Sequence, residues 1–232
     1  MNLDQVTRQT LHRVLTLQNK YIRDLSDLLE SGRTLTLKTV ETKIRRAKER
    51  LELYEKELRN IIKGATDRVW SNTLMDTFNE LGIRPNLDAV SGKNLSILET
   101  VGLKFMDNYE ESMIQQIKTQ LYISLLNGES ATDAYNRIRP VGNSDARPKV
   151  MIRDQLSRVY QQSIIEAYGA TGHPQDFDYY WTGPDDERTT EICEERKAGN
   201  PYTWEQVASM DSHPHIQCRH RWRAALRNKV ES

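Results

Sequence analysis

Both cysteines of the chain, Cys193 and Cys218, lie between Asp186 and Trp222, together with three of its five histidines, His213, His215 and His220. Thiolate and imidazole donors at this density suit tetrahedral zinc better than any other common ion. On an extended segment Cys218 and His220 point to the same side, because side chains alternate along a strand. A turn at Pro214 brings His213 or His215 to that point, and Cys193 arrives from the far side of a loop. The plainer alternative is a buried free cysteine with scattered surface histidines, since the spacing is not a CxxC pair.

These residues need a small scaffold. Asp176 to Thr182 reads as a strand from its aromatics and partial alternation, and Gly183-Pro184-Asp185 turns it. Thr189 to Arg196 reads as a short helix carrying Cys193, with Glu187 and Glu191 at the end where negative charge is favoured. Thr203 is placed to cap a second short helix, Trp204 to Met210. A last strand, Gln217 to Arg223, is expected to pair with Tyr179 to Thr182 and to carry Cys218 and His220. A helix from Pro148 to about Tyr168 precedes the strands. Residues 148–232 thus read as an α+β zinc module with Trp181, Trp204 and Trp222 in its core. Its apolar mass is small, and a structural zinc supplies about 10–16 kcal/mol in modules of this kind.

Arginines flank the site. On the expected strand Arg219, Arg221 and Arg223 share the face opposite Cys218, His220 and Trp222, a patch suited to DNA or to an acidic protein surface. Arg188 reads as a loop stabiliser pairing with Asp185, Asp186 or a helix-end carbonyl. The competing reading makes Asp186 and Arg188 catalytic.

Upstream the chain is helical. Leu3, Val6, Val14, Leu17, Tyr21, Leu25 and Leu28 give one stripe, stopped at Ser31-Gly32. Leu37, Val40, Ile44, Ala47, Leu51, Tyr54, Leu58 and Ile61 repeat in steps of three and four, an a/d seam expected to end or bend at Lys63-Gly64. The charged residues between them, Lys43 to Arg50 included, read as a solvated face. A short turn between two such helices implies an antiparallel hairpin over residues 1–64. Residues 65–140 form a second helical region, with segments Ala65 to Leu81, Asn94 to Leu126 and Ser130 to Ile138. Pro140 to Pro148 is the linker candidate. The fold class is mainly α: a long hairpin and a helical bundle, then the α+β module.

With 33 basic and 33 acidic residues the formal charge is zero, which argues against a surface given over to nucleic acid. Hydrophobic residues are 37% and mean hydropathy is −0.73, pointing to elongated helices with much solvated surface. No run approaches a membrane span, and Met1 to Val6 does not open a signal peptide. A soluble cytoplasmic product in a reducing compartment is expected.

The run Tyr180-Trp181 through Asp186-Glu187-Arg188-Thr189 to Cys193, followed by His215-Ile216-Gln217-Cys218-Arg219-His220, resembles the phage head morphogenesis proteins, the Mu F-like minor head family. That family reads an aromatic-Trp strand, Asp-x-Arg-Thr-Cys-x-x-Cys, a glycine-containing loop and His-Pro-x-Cys-Arg-Cys. The resemblance covers about residues 148 to 226, including a preceding helix with Ile152-Arg153-Asp154-Gln155. Thr190 and His220 replace two family cysteines. Proline follows His213, whereas the distance to Cys218 belongs to His215. Either His213 joins His215, or one of them binds beside another group.

The resemblance implies a non-enzymatic minor head protein that binds the portal protein, the major capsid or a scaffold protein during head assembly and DNA packaging. It would lie inside the virion near the portal. The quantity of amphipathic helix separately points to self-association until a partner covers it, and the arginine patch leaves contact with viral DNA open. Two other classes compete. A zinc nuclease would use His213, His215 and Asp211 around metal-bound phosphate. A DNA-binding regulator would use the zinc module and its arginines.

Overall fold

The computed structural model describes residues 3–29, 35–85, 90, 111–112, 114–130, 132–133, 135–137 and 146–227. The fold is mainly α, with a two-stranded sheet near the C-terminus. The chain divides into two compact units. One draws on Thr7–Gly64 and Thr100–Ile152, the other on Met1–Val6, Ala65–Glu99 and Arg153–Ser232.

In the first unit, α1 (Leu3–Leu29) and α2 (Leu37–Glu80) meet along their apolar stripes. Val14, Leu17, Tyr21 and Leu25 are buried from one, and Val40, Ala47, Leu51, Tyr54, Leu58 and Ile61 from the other. The rings of Tyr21 and Tyr54 stack at 5.0 Å. Lys20 reaches Glu57, while Lys43 reaches the Leu28 carbonyl at 2.7 Å. Partners that climb one helix descend the other, so the pair is antiparallel, as the sequence implies.

Two local details depart from the sequence reading. Lys43 is turned inward instead of lying on a solvated face, because the last carbonyls of α1 have no intrahelical donor and an ammonium satisfies one of them. Burial, and Arg46 nearby, lower its pKa. The second departure is at Gly64, where α2 neither stops nor restarts. Ile61, Ile62, Ala65, Thr66, Val69 and Trp70 are all buried around it, and that burial outweighs the roughly 1 kcal/mol a mid-helix glycine costs. The start of α2 is fixed by Thr36 and Thr39. Each hydroxyl accepts from the other's backbone N–H, at 3.3 and 2.8 Å, a reciprocal cap. Residues 114–126 are helical, with Ile114, Ile117, Leu121 and Ser124 buried. The expected segments 94–110 and 140–145 lie outside the described residues.

In the second unit, α2 ends in a Schellman turn. Ile83 N–H bonds the Phe78 carbonyl at 3.0 Å, Gly82 N–H bonds Asn79 at 3.1 Å, and Gly82 takes φ +67°. The later elements are α3 (Ala146–Gly169), a 3-10 turn (Pro174–Asp176), β1 (Phe177–Thr182), α4 (Glu191–Ala198), α5 (Trp204–Ser209) and β2 (Arg221–Leu226). Thr203 and Gln206 form a full capping box on α5. The strands pair antiparallel from Thr182↔Arg221 to Phe177↔Leu226, with Trp181 opposite Trp222. Trp181, Trp222 and Tyr179 are almost wholly buried, and the two indoles meet edge-on at 4.9 Å. Trp204, Leu81 and Ile83 pack against this core.

Each outer edge of the ribbon has partners. Along β1, Tyr202 exchanges backbone hydrogen bonds with Tyr179 at 2.8 and 3.0 Å. The Asn200 carboxamide serves both backbone groups of Trp181. Along β2, α3 supplies side chains: Tyr168 Oη accepts from Ala224 N–H at 3.0 Å, and Gln161 donates to the His220 carbonyl. A bare two-stranded ribbon is marginal in water; here α3 and the 200–202 segment occupy its edges.

Candidate metal centre

β2 begins at Arg221, later than the expected Gln217, so Cys218 and His220 precede the strand and strand alternation does not orient them. Their placement comes from a turn over residues 213–217. Gln217 takes φ +60°, and its N–H goes to Asp154 Oδ1 at 3.1 Å instead of into the sheet. Cys218 N–H then reaches back to the His215 carbonyl at 3.3 Å.

Cys193 sits on the first turn of α4, fully buried, with its N–H on the Thr190 carbonyl. The approach to α4 is a self-tied loop. Asp186 N–H donates to Thr189 Oγ1, Thr189 N–H to the Asp186 carbonyl, and the Thr189 hydroxyl to the Pro184 carbonyl. Arg188 N–H donates to Asp186 Oδ1 at 3.0 Å, but its guanidinium is 75% exposed and lies 4.0 Å from the carboxylate. The arginine that grips Asp186 is Arg219, through both Nη atoms, one at 2.7 Å. That fork, with the Arg188 N–H, holds the Asp186 carboxyl well below the usual range.

Cys193, His215 and Cys218 come together with all three donor atoms within 4.8 Å of one another, a group that can hold a metal ion. The sulfurs are 3.6 Å apart, and Cys193 Sγ is 3.0 Å from His215 Nε2. Both cysteines are free thiols. Tetrahedral bonds of about 2.3 Å to sulfur and about 2.0 Å to nitrogen place two sulfurs about 3.8 Å apart, and sulfur about 3.5 Å from nitrogen. The sulfur edge is about 0.2 Å short of that length, and the sulfur–imidazole edge about 0.5 Å short of its own. His215 Nδ1 faces the Ile216 carbonyl at 3.1 Å. A carbonyl only accepts, so the proton sits on Nδ1 and Nε2 keeps its lone pair toward the thiols.

Burial, with Cys193 alongside, pushes the Cys218 thiol up to about 12, against the His220 N–H and Arg196, which pull it down. A divalent cation among the donors would invert that preference and hold the sulfurs as thiolates.

The other histidines divide. His220 is 2% exposed, lies parallel to Trp181 at 6.0 Å, and has a buried Nε2 with no protein partner. It is outside the compact triad, and it shares with His213, whose buried Nδ1 also has no partner, an unused ring nitrogen. Burial lowers its pKa, against the pull of the Asp185 carboxylate. Gly183 makes room for it: a Cβ there would lie 2.5–2.8 Å from His220 Cγ, Cδ2 and Cα. His213 goes elsewhere. Its Nε2 meets Asp154 Oδ1 at 2.8 Å, on α3.

Asp154 also accepts from Arg158 Nε at 3.0 Å. Burial raises its pKa, but the bonds from His213, Arg158 and Gln217 outweigh this and bring it down to about 2.

The arginine stripe does not form as expected. Arg219 is committed to Asp186, and Arg221 donates to Tyr160 Oη at 2.5 Å. Arg223 alone of the three is exposed. The sequence reading missed Asp154, Gly183 and the Asp186–Arg219 pair as parts of the site. No spacing rule connects residues 59 or 33 positions apart. Asp154 is visible in sequence only as a letter in the helix that precedes the motif.

No family model matches the chain, and neither the curated proteins nor the solved structures compared with it give a match.

Proposed function

We propose that the chain is a non-enzymatic assembly protein of a tailed-virus head, a minor head protein whose C-terminal module is closed by one zinc ion. The observation that carries this reading is the Cys193–His215–Cys218 group. It joins the two separated halves of the sequence run that resembles the Mu F-like proteins, and the Asp186–Arg219 fork ties the same two halves a second time. Zinc is the ion that two thiolates and an imidazole favour. His220, buried with a free Nε2, is the natural fourth donor. It takes the place of one family cysteine, and His215 takes the role that the spacing left open between His213 and His215.

A fully liganded site holds structure and leaves no position for substrate. What the protein offers a partner is helix surface, for example Leu37 and Leu53 of α2, each 57% exposed. Portal protein, major capsid or scaffold protein are the partners this reading names, with the inner head as the location. Co-expression with the portal protein of the same virus should give a complex that co-purifies, and Leu53→Glu should weaken it while leaving the fold intact. Absence of any complex with portal, capsid or scaffold protein would remove the head-assembly reading.

A zinc nuclease is the second reading. It draws on the count of three compact donors, the number found in catalytic zinc sites, and on a His–Asp pair beside them. Cleavage of DNA by the purified chain with added divalent metal, abolished by His215→Ala without unfolding, would favour it.

A further inference from the structure

We infer that Asp154 is the positioning residue of the metal centre: it clamps both ends of the turn that presents His215, and it withholds His213 from the metal. This rests on the metal reading above. Asp154 Oδ1 accepts from His213 Nε2 at 2.8 Å and from Gln217 N–H at 3.1 Å. These two residues bracket His215 by two positions on each side. The same carboxylate is held from behind by Arg158, one turn along α3.

The turn has few other constraints of its own. His213 N–H bonds Asp211 Oδ1 at 2.9 Å, and Ser212 reaches Gln162 at 3.1 Å. Both act at or before His213. Between His213 and Cys218, what connects the turn to α3 is the Asp154 oxygen. Gln217 stands at a positive φ, a conformation that costs energy for a non-glycine residue and persists when a partner fixes it. Here that partner is Asp154.

The clamp also explains which histidine binds. His213 and His215 are both near Cys218 in sequence, and either could have served. His213 is buried, its Nε2 on the Asp154 carboxylate, its Nδ1 without a partner and the ring outside the donor group, while His215 Nε2 faces Cys193. Outer-shell groups that orient a ligand contribute about 10–100-fold to metal affinity, and Asp154 orients His215 through the turn that carries it.

Zinc affinity of the full chain, measured by competition with a chromophoric chelator, and the visible spectrum of the cobalt-substituted protein test this. Asp154→Ala should weaken zinc binding about 10–100-fold and alter the cobalt spectrum as the imidazole loosens, with the far-UV signal kept. Asp154→Asn keeps an oxygen where His213 and Gln217 donate, so it should hold affinity close to the original chain. Equal losses in both variants would mean that helix charge matters and the clamp does not. Unchanged affinity in Asp154→Ala would also overturn the inference.

If the alanine variant does not fold, His213→Phe decides. It keeps a buried ring and removes one of the two donors, so it should weaken binding while preserving the cobalt spectrum. Loss of that spectrum would show His213 to be a ligand itself. An original chain that takes up no metal would sink the metal reading, a result distinct from any of these.

Discussion

Arg219 donates to both carboxylate oxygens of Asp186 across 33 residues of sequence, and each lies close to a metal-site cysteine. Asp186 opens the loop that leads into α4 and Cys193; Arg219 follows Cys218 directly. The fork therefore fixes the spacing of the two strands of chain that carry the thiols. A planar guanidinium suits this better than an ammonium would. Asp186→Ala and Arg219→Ala should each speed zinc release to a chelator, and the double variant should release it no faster than either single one. Additive acceleration would show that the two side chains act separately.

The helix seam carries its own expectation. Leu51 is 6% exposed between α1 and α2, so Leu51→Asp should cost on the order of 3 kcal/mol or more, since it strands a charge among apolar side chains. A thermal melt followed in the far-UV that does not move would show the seam to be open.

Two glycines should respond in opposite senses to alanine. At Gly183 a methyl would collide with His220 side chain and backbone, so Gly183→Ala should displace the ring and lower zinc affinity. At Gly64 a methyl meets nothing within 4 Å, inside a continuous helix, so Gly64→Ala should stabilise by about 0.5–1 kcal/mol. Melting temperatures of the two variants check both signs; a stabilised Gly183→Ala would remove His220 from the account of the site.

Acid should act through Asp154. Its folded pKa is depressed to about 2 from an ordinary value near 4, so its contribution is fully present above about pH 4 and is lost as pH falls toward about 2. With a side chain 18% exposed, that contribution is on the order of 2 kcal/mol. The protein, purified without chelator, should lose stability over this window, and Asp154→Asn should flatten the loss. An unchanged acid profile in that variant would assign the transition to other carboxylates.

The parts of this fold that were legible in sequence are those governed by local periodicity. The stripes of α1 and α2, the Thr203 cap and the aromatic strand β1 each follow from residues a few positions apart. Gly64 was misread because one glycine's propensity is weaker than the burial of Ile61, Ile62 and Ala65 around it. The donors Cys193 and Cys218 were legible by type. Their geometry was not, because the strand expected to orient Cys218 and His220 starts at Arg221. The choice of His215 over His213 depends on Asp154, which chain folding alone brings to the turn. The stripe of Arg219, Arg221 and Arg223 failed for a related reason: Asp186 and Tyr160 are closer partners than solvent.

The account turns on a metal bound by residues of one loop and one helix. Elemental analysis of the full chain, purified without chelator, tests it most directly. About one zinc per chain is expected, with Cys218→Ser losing both the metal and the fold of the C-terminal module while the helices of residues 3–80 keep their far-UV signal. Protein that carries no metal and still keeps the C-terminal module folded would contradict the account.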